Sequence, residues 1–131
     1  MEVLVPMDGS ACSRRALEHA VGLVAASGGR VDVVHFTDVP TDATDELLAR
    51  AEEILADAGV EWETEVVTDV RLSEPRSATH VGRRILERVE DGDYDLVVLG
   101  HHGTGVVGEL LLGSTARTVV DARAVPVTVV P

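Results

Sequence analysis

Short apolar segments alternate with amphipathic segments along the whole chain. Runs of Val and Leu predict five strands, and apolar positions spaced three and four apart predict four helices between them. The predicted strands are Val3–Met7, Val31–Thr37, Val60–Val66, Leu96–Leu99 and Val125–Val130. The predicted helices are Ala11–Ser27, Asp45–Ala58, a helix that starts near Pro75, and Ser114–Arg123. Strands and helices that alternate with short connections predict a single α/β domain around a parallel sheet.

The two edges of the sheet can also be predicted. The third strand alternates apolar residues with Glu61, Glu63 and Glu65, which leaves one side wet and is typical of an edge strand. The fifth strand contains Pro126, which cannot donate to a ladder, and we place it at the other edge. Right-handed crossovers then give strand order 3-2-1-4-5, a doubly wound, Rossmann-like sheet. Ligands are expected where this order reverses, at the carboxyl ends of strands one and four.

Length and composition indicate one compact domain, residues 1–131. Hydrophobic residues make up 45% of the chain and aromatic residues only 2%, so the core must be aliphatic. No apolar run approaches the roughly 18 residues that a membrane span needs. The chain also begins without a basic leader region, and we expect a cytoplasmic protein.

The charge balance is strongly acidic. There are 23 acidic residues against 11 basic ones, every basic residue is Arg, and the net charge is -12. Nucleic acid and anionic membrane surfaces are therefore excluded as expected partners. An acidic surface without lysine fits a protein that works in high salt, where charges are screened over about 3 Å at 1 M.

One motif in the last third carries candidate chemistry. The chain reads Gly100-His101-His102-Gly103, then nine residues, then Gly113-Ser114-Thr115 at the start of the fourth predicted helix. Glycines let backbone N–H groups approach phosphate oxygens, and a helix N-terminus offers unpaired donors with about half a positive charge. The hydroxyls of Ser114 and Thr115 add donors. The motif predicts a phosphate cradle.

The first strand ends at the same edge in Pro6-Met7-Asp8-Gly9-Ser10. The carboxylate of Asp8 can there accept a hydrogen bond from an adenine amino group or a ribose hydroxyl. Asp8 is equally suited to be the N-cap of the first helix, a role it could share with Ser10, and both roles stay open.

These residues resemble the universal stress proteins, whose nucleotide-binding members carry G-x-x-G, nine residues, then G-[S/T]. The resemblance extends to Val5–Ser10 and to His35. It implies a fold like that of the adenine nucleotide α-hydrolases and a homodimeric stress-response protein that binds ATP or another adenine nucleotide. The net charge of -12 favours Mg or Mn bound with the nucleotide, since an acidic protein that attracts a polyanion needs local positive charge. The resemblance also implies a set of nucleotide contacts: adenine near Asp8 and Phe36, ribose near Pro6 and Gly100, and phosphates near Gly103, Gly113, Ser114 and Thr115, with Met7 and His102 in the same site. Ala116 departs from the pattern, since many relatives have a hydroxyl residue there.

Other kinds of site fit the sequence less well. His101 and His102 are adjacent and point apart, with no carboxylate or Cys at ligand spacing, so no protein-built metal site is predicted. The run Gly103–Gly108 matches G-x-G-x-x-G, but it does not open a first βαβ unit as a dinucleotide fingerprint should. A P-loop and a response-regulator receiver both need a lysine that the chain lacks.

The function that these observations favour is a nucleotide-binding signalling module that dimerises through its C-terminal strand. Two alternatives stay open, a nucleotide-free dimeric adaptor of the same family and a slow ATPase. No catalytic residue is predicted. Glu109 and His102 lie near the motif in the sequence, but their spacing does not position either of them as a general base for phosphoryl transfer.

Overall fold

The computed structural model describes residues 1–68, 77–101 and 112–131. Strands and helices alternate along the chain: β1 Glu2–Pro6, α1 Ala11–Ser27, β2 Arg30–Phe36, α2 Asp42–Ala58, β3 Glu61–Val67, α3 Ser77–Asp91, β4 Leu96–Gly100, α4 Ser114–Ala122 and β5 Val127–Val130. The strands are parallel, in the order β3-β2-β1-β4-β5. This order confirms the predicted doubly wound sheet.

The core lies on both faces of the sheet. On β1, Val3 and Val5 join the cluster beneath α1 and α2, whereas Leu4 joins the cluster beneath α3 and α4. All three side chains are fully buried. Because alternate residues of a strand face opposite sides, the central strands need apolar residues at every position, and their unbroken Val and Leu runs provide them.

The outer strand β3 is more open than its alternation predicts. It pairs with β2 along its whole length and forms one edge of the sheet, as expected. Trp62, on the face predicted to be covered, is nevertheless 37% exposed.

The other edge strand, β5, starts two residues later than predicted because Pro126 precedes it. The carbonyl oxygen of Pro126 accepts from Val97 N at 3.0 Å, and that of Val130 accepts from His101 N at 2.7 Å. Since alternate residues direct their backbone groups to opposite sides of a strand, Val127 and Val129 direct theirs to the open edge.

The strands β1 to β4 differ from the predicted bounds by one residue at most at each end, and capping accounts for the different start of the second helix. Helix α2 begins at Asp42, not at Asp45, because Thr41 N donates to Thr44 Oγ1 at 3.1 Å in a capping box where threonine replaces Glu or Gln. Helix α1 is capped by Ser10, whose Oγ accepts from Ser13 N at 3.1 Å. Of the two candidates for the N-cap of α1, it is therefore Ser10 and not Asp8 that caps the helix. The predicted start of the third helix near Pro75 lies outside the described residues.

Within the described ranges, none of the helices has the length and apolar character needed to span a bilayer.

Candidate functional site

The turn between β1 and α1 places a carboxylate at the carboxyl edge of the sheet. Met7 N donates to Val34 O at 2.9 Å, which continues the pairing with β2 beyond the end of β1. Gly9 then turns the chain with φ +86°, a conformation that side chains rarely adopt. Asp8 Oδ1 accepts from Ser10 N at 2.9 Å, and the Asp8 side chain is exposed. Its second oxygen is therefore available to a ligand.

The first motif glycine has a packing role. A Cβ added to Gly100 would lie 2.8 Å from Cys12 Cβ and 2.9 Å from Ser13 N. The first turn of α1 thus rests directly on the end of β4, at a distance that only glycine permits. This contact holds the Asp8 turn beside the start of the motif.

The second half of the motif is held to the first half by the backbone. Gly113 N donates to His101 O at 2.8 Å, so Gly113 lies beside the residue that follows Gly100. Gly113 is the N-cap of α4, and its carbonyl accepts from Arg117 N at 2.9 Å. The first N–H groups of an α-helix have no partner within the helix, and they carry the positive end of its dipole. A helix N-terminus therefore stands at the carboxyl end of β4.

The predicted nucleotide-binding residues within the described ranges converge on this edge. Pro6 and Met7 are buried, Gly100 and Gly113 are half-buried, and Ser114 is exposed beside the half-buried Thr115. His102 and Gly103 lie outside the described residues.

Phe36 ends β2 and is 7% exposed in the core beneath α3 and α4. It also lines a cavity of about 370 Å³ on that face, together with Val67 and Arg88.

Arg117 lies in the first turn of α4. Its Nε lies 3.6 Å from Asp121 Oδ2, and both side chains are about 70% exposed. Arg117 is therefore a solvated surface arginine.

Sequence reasoning missed a larger cavity of about 560 Å³ between α1 and α2. It lies on the other face of the sheet from α4, and Met7 and Asp8 are among its lining residues. No local pattern signals such a space, because it depends on how far apart the two helices pack.

A polar cluster lies at the opposite, amino end of the sheet. Arg30 Nε contacts Asp32 Oδ1 at 2.6 Å, and Tyr94 OH donates to Asp32 Oδ2 at 2.8 Å. Arg30 also pairs with Glu63 on β3. Burial, followed by the hydrogen bond to Asp32, raises the pKa of Tyr94 to about 12. Since these groups are far from the edge where ligands bind in such sheets, we assign them to stability.

Known proteins match the chain in sequence and in fold. The sequence model of the Universal stress protein family matches residues 1–131. A universal stress protein of Methanocaldococcus jannaschii is 27% identical over 98% of this chain and 81% of its own length. One from Synechocystis is 29% identical over 96% of this chain, which spans only 41% of that protein. The structure of a universal stress protein from Archaeoglobus fulgidus in complex with dAMP has a TM-score of 0.72 and is 25% identical, covering 100% of this chain and 98% of that one. The chain belongs to the universal stress protein family.

Proposed function

We propose that this protein is an adenine-nucleotide-binding module and that ATP with a divalent cation is its ligand. The observation that carries the proposal is the hydrogen bond from Gly113 N to His101 O, which holds the start of α4 at the carboxyl end of β4. The anion-binding helix start and the exposed Asp8 carboxylate then flank the point where the strand order reverses. The dAMP complex of the relative from Archaeoglobus fulgidus supports the ligand class.

The two ends of the nucleotide have different partners in this proposal. The phosphates lie at Gly113, Ser114 and Thr115, where the backbone N–H groups that follow Gly113 and the hydroxyls of Ser114 and Thr115 donate to the phosphate oxygens. The adenine or ribose donates to the free oxygen of Asp8. Because the side chain of Phe36 is packed in the core, its contact with the base would come from the backbone at the end of β2.

The remaining residues of the proposed site are Pro6, Met7, Gly100, His102 and Gly103.

A divalent cation fits the charge of the system. A chain with net charge -12 repels a polyanion, and Mg or Mn bound to the phosphates reduces that repulsion. Among the described residues, no three His, Cys, Asp or Glu side chains form a metal-binding group. The cation would therefore be held mainly by phosphate oxygens and water, as is usual for Mg²⁺.

Thermal unfolding with and without excess Mg-ATP in molar KCl tests the proposal. A ligand at 100 times its dissociation constant adds about 2.7 kcal/mol to the free energy of unfolding. We expect this gain in the native protein and its loss in Gly113→Val, where a bulky side chain stands in the phosphate cradle. Gly22→Ala, in the exposed middle of α1, is the control and should keep the gain. Absence of any gain, in protein purified without nucleotide, would favour the adaptor function.

We propose further that the protein dimerises through β5. All four residues of this strand are only half-buried, and Val120 nearby on α4 is 38% exposed. Val127 and Val129 direct their backbone groups to the open edge, where a second copy can pair.

Two substitutions separate the edge hydrogen bond from the side chain. Val129→Pro removes an outward N–H without touching the bonds to β4, whereas Val129→Ala keeps the N–H and shortens the side chain. Sedimentation should show a dimer for the native protein and Val129→Ala and a weakened one for Val129→Pro. A native monomer at micromolar concentration would contradict the proposal.

A further inference from the structure

We propose that His35 is a positioning residue of the nucleotide site, which keeps the peptide groups of Phe36 unpaired so that they can recognise adenine. The imidazole Nδ1 of His35 lies 2.8 Å from Met7 O. Because a carbonyl oxygen can only accept a hydrogen bond, Nδ1 carries the proton and donates it. The inference rests on the proposed function and goes beyond it, since it assigns the selection of the base to the bond between His35 and Met7.

The bond from His35 stands where the next hydrogen bond of the β1–β2 ladder is expected. Pro6 pairs with Val34, and Met7 N donates to Val34 O at 2.9 Å. In a parallel ladder the carbonyl oxygen of Met7 would then accept from the N–H two residues after Val34, which is Phe36 N. Among the residues that the structure describes, Phe36 N makes no such bond. The His35 ring therefore replaces the last backbone donor of the ladder.

The peptide groups of Phe36 face the β1 side of β2. Thr37 N donates to Val67 O at 3.0 Å, so Thr37 directs its backbone to β3. Since alternate residues direct their backbone groups to opposite sides of a strand, the N–H and the carbonyl of Phe36 point toward β1. Within the described ranges neither group has a backbone partner, although Phe36 is only 7% exposed. Interior backbone groups are almost always paired, so this donor and acceptor indicate a ligand.

An N–H donor beside a carbonyl acceptor matches adenine. The base presents an amino donor next to a ring-nitrogen acceptor, so the amino group meets the Phe36 carbonyl and the ring nitrogen meets the Phe36 N–H. Guanine in the same orientation carries O6, an acceptor, which would face the carbonyl oxygen. If Met7 O paired with Phe36 N, the donor would be consumed within the sheet. The bond from His35 to Met7 O leaves that donor to the base.

The imidazole of His35 has no packing role in the core. It is partly buried, belongs to neither of the two core clusters and lines the larger cavity. A side chain of similar size can therefore replace it without opening the core.

Calorimetric titration with Mg-ATP, Mg-GTP and Mg-tripolyphosphate tests the role of His35. The native protein should bind Mg-ATP about tenfold more tightly than Mg-GTP, the usual effect of one or two hydrogen bonds. His35→Leu lets Met7 O pair with Phe36 N, so its affinity for Mg-ATP should fall to that for Mg-GTP. Its affinity for Mg-tripolyphosphate, which lacks the base, should not change.

Conservative variants separate the hydrogen bond from the ring. His35→Asn places an amide N–H where Nδ1 stands and should restore the preference for Mg-ATP, whereas His35→Gln, whose amide lies one bond further out, should not. His80→Leu, at an exposed position of α3, is the control and should bind like the native protein. An unchanged preference for Mg-ATP in His35→Leu, or equal binding by the Asn and Gln variants, would overturn the role of His35. A native protein that does not bind Mg-ATP would instead refute the proposed function itself.

Amide exchange provides a second measurement that needs no substitution. Mg-ATP should slow the deuterium exchange of the Phe36 amide, and Mg-tripolyphosphate should not. The amide of Thr37, which already donates to Val67 O, is the internal control and should not change with either probe. Equal exchange of Phe36 with and without bound Mg-ATP would contradict recognition of the base by this peptide.

Discussion

Substitution of Gly100 by alanine tests the contact that aligns α1 with the glycine motif. The added Cβ would lie 2.8 Å from Cys12 Cβ, 2.9 Å from Ser13 N and 3.1 Å from Cys12 C. These neighbours are mostly backbone, so the strain cannot be relieved by rotating a side chain. Overpacking of this kind costs about 1–3 kcal/mol. For a domain of this size the loss lowers Tm by roughly 4–12 °C.

Gly22→Ala adds the same methyl group where it meets nothing within 4 Å. Alanine in the middle of α1 should stabilise the protein by about 0.5–1 kcal/mol, since glycine loses more backbone entropy on folding. Urea and thermal unfolding of the two variants side by side should therefore give shifts of opposite sign. If Gly100→Ala were as stable as the native protein, the close approach of α1 to β4 would be wrong.

Three further predictions concern caps and charge. Ser10→Ala should lower the free energy of unfolding in urea by about 1 kcal/mol, because it removes the side chain that caps α1, whereas Ser10→Asp should not. Equal losses in the two variants would show that the cap does not stabilise the protein. Tyr94→Phe should cost about 1 kcal/mol at neutral pH by removing the bond to Asp32. The pKa of Tyr94 rises from 10.0 to about 12 on folding, so the native protein should lose its stability advantage over Tyr94→Phe between pH 10 and 12. A difference in stability between the two proteins that stays constant over this range would contradict the stabilising role given to Tyr94. Molar KCl should raise Tm by screening the net charge of -12, and equal stability in dilute buffer would refute the high-salt interpretation.

The order of the strands could be predicted because it follows from local periodicity and a general handedness. The alternation of apolar residues with glutamates indicated that β3 is an edge strand, and Pro126 indicated that β5 is the other edge. Right-handed crossovers then allowed only one order of the five strands. The caps were less predictable. Asp8 and Ser10 are both good capping residues two positions apart, and only the bond from Ser13 N distinguishes them. Thr44 completes a capping box that the usual pattern assigns to Glu or Gln.

The candidate site could be predicted in part. The spacing from Gly100 to Gly113 indicated a helix start at the end of a strand, and the structure has that arrangement. Sequence spacing does not show that Gly100 also contacts Cys12 of α1, since the two are brought together by the sheet. Nor could it show the α1–α2 cavity, whose walls come from distant parts of the chain.

The outward backbone groups of β5 have a consequence for isotope labelling. The amide of Thr128 faces β4 and should exchange slowly with deuterium whether or not two copies associate. The amides of Val127 and Val129 face the open edge, and their exchange should slow only as protein concentration rises. The exchange of Val127 and Val129 would then report on dimer formation, and the exchange of Thr128 on the same strand would serve as the internal reference.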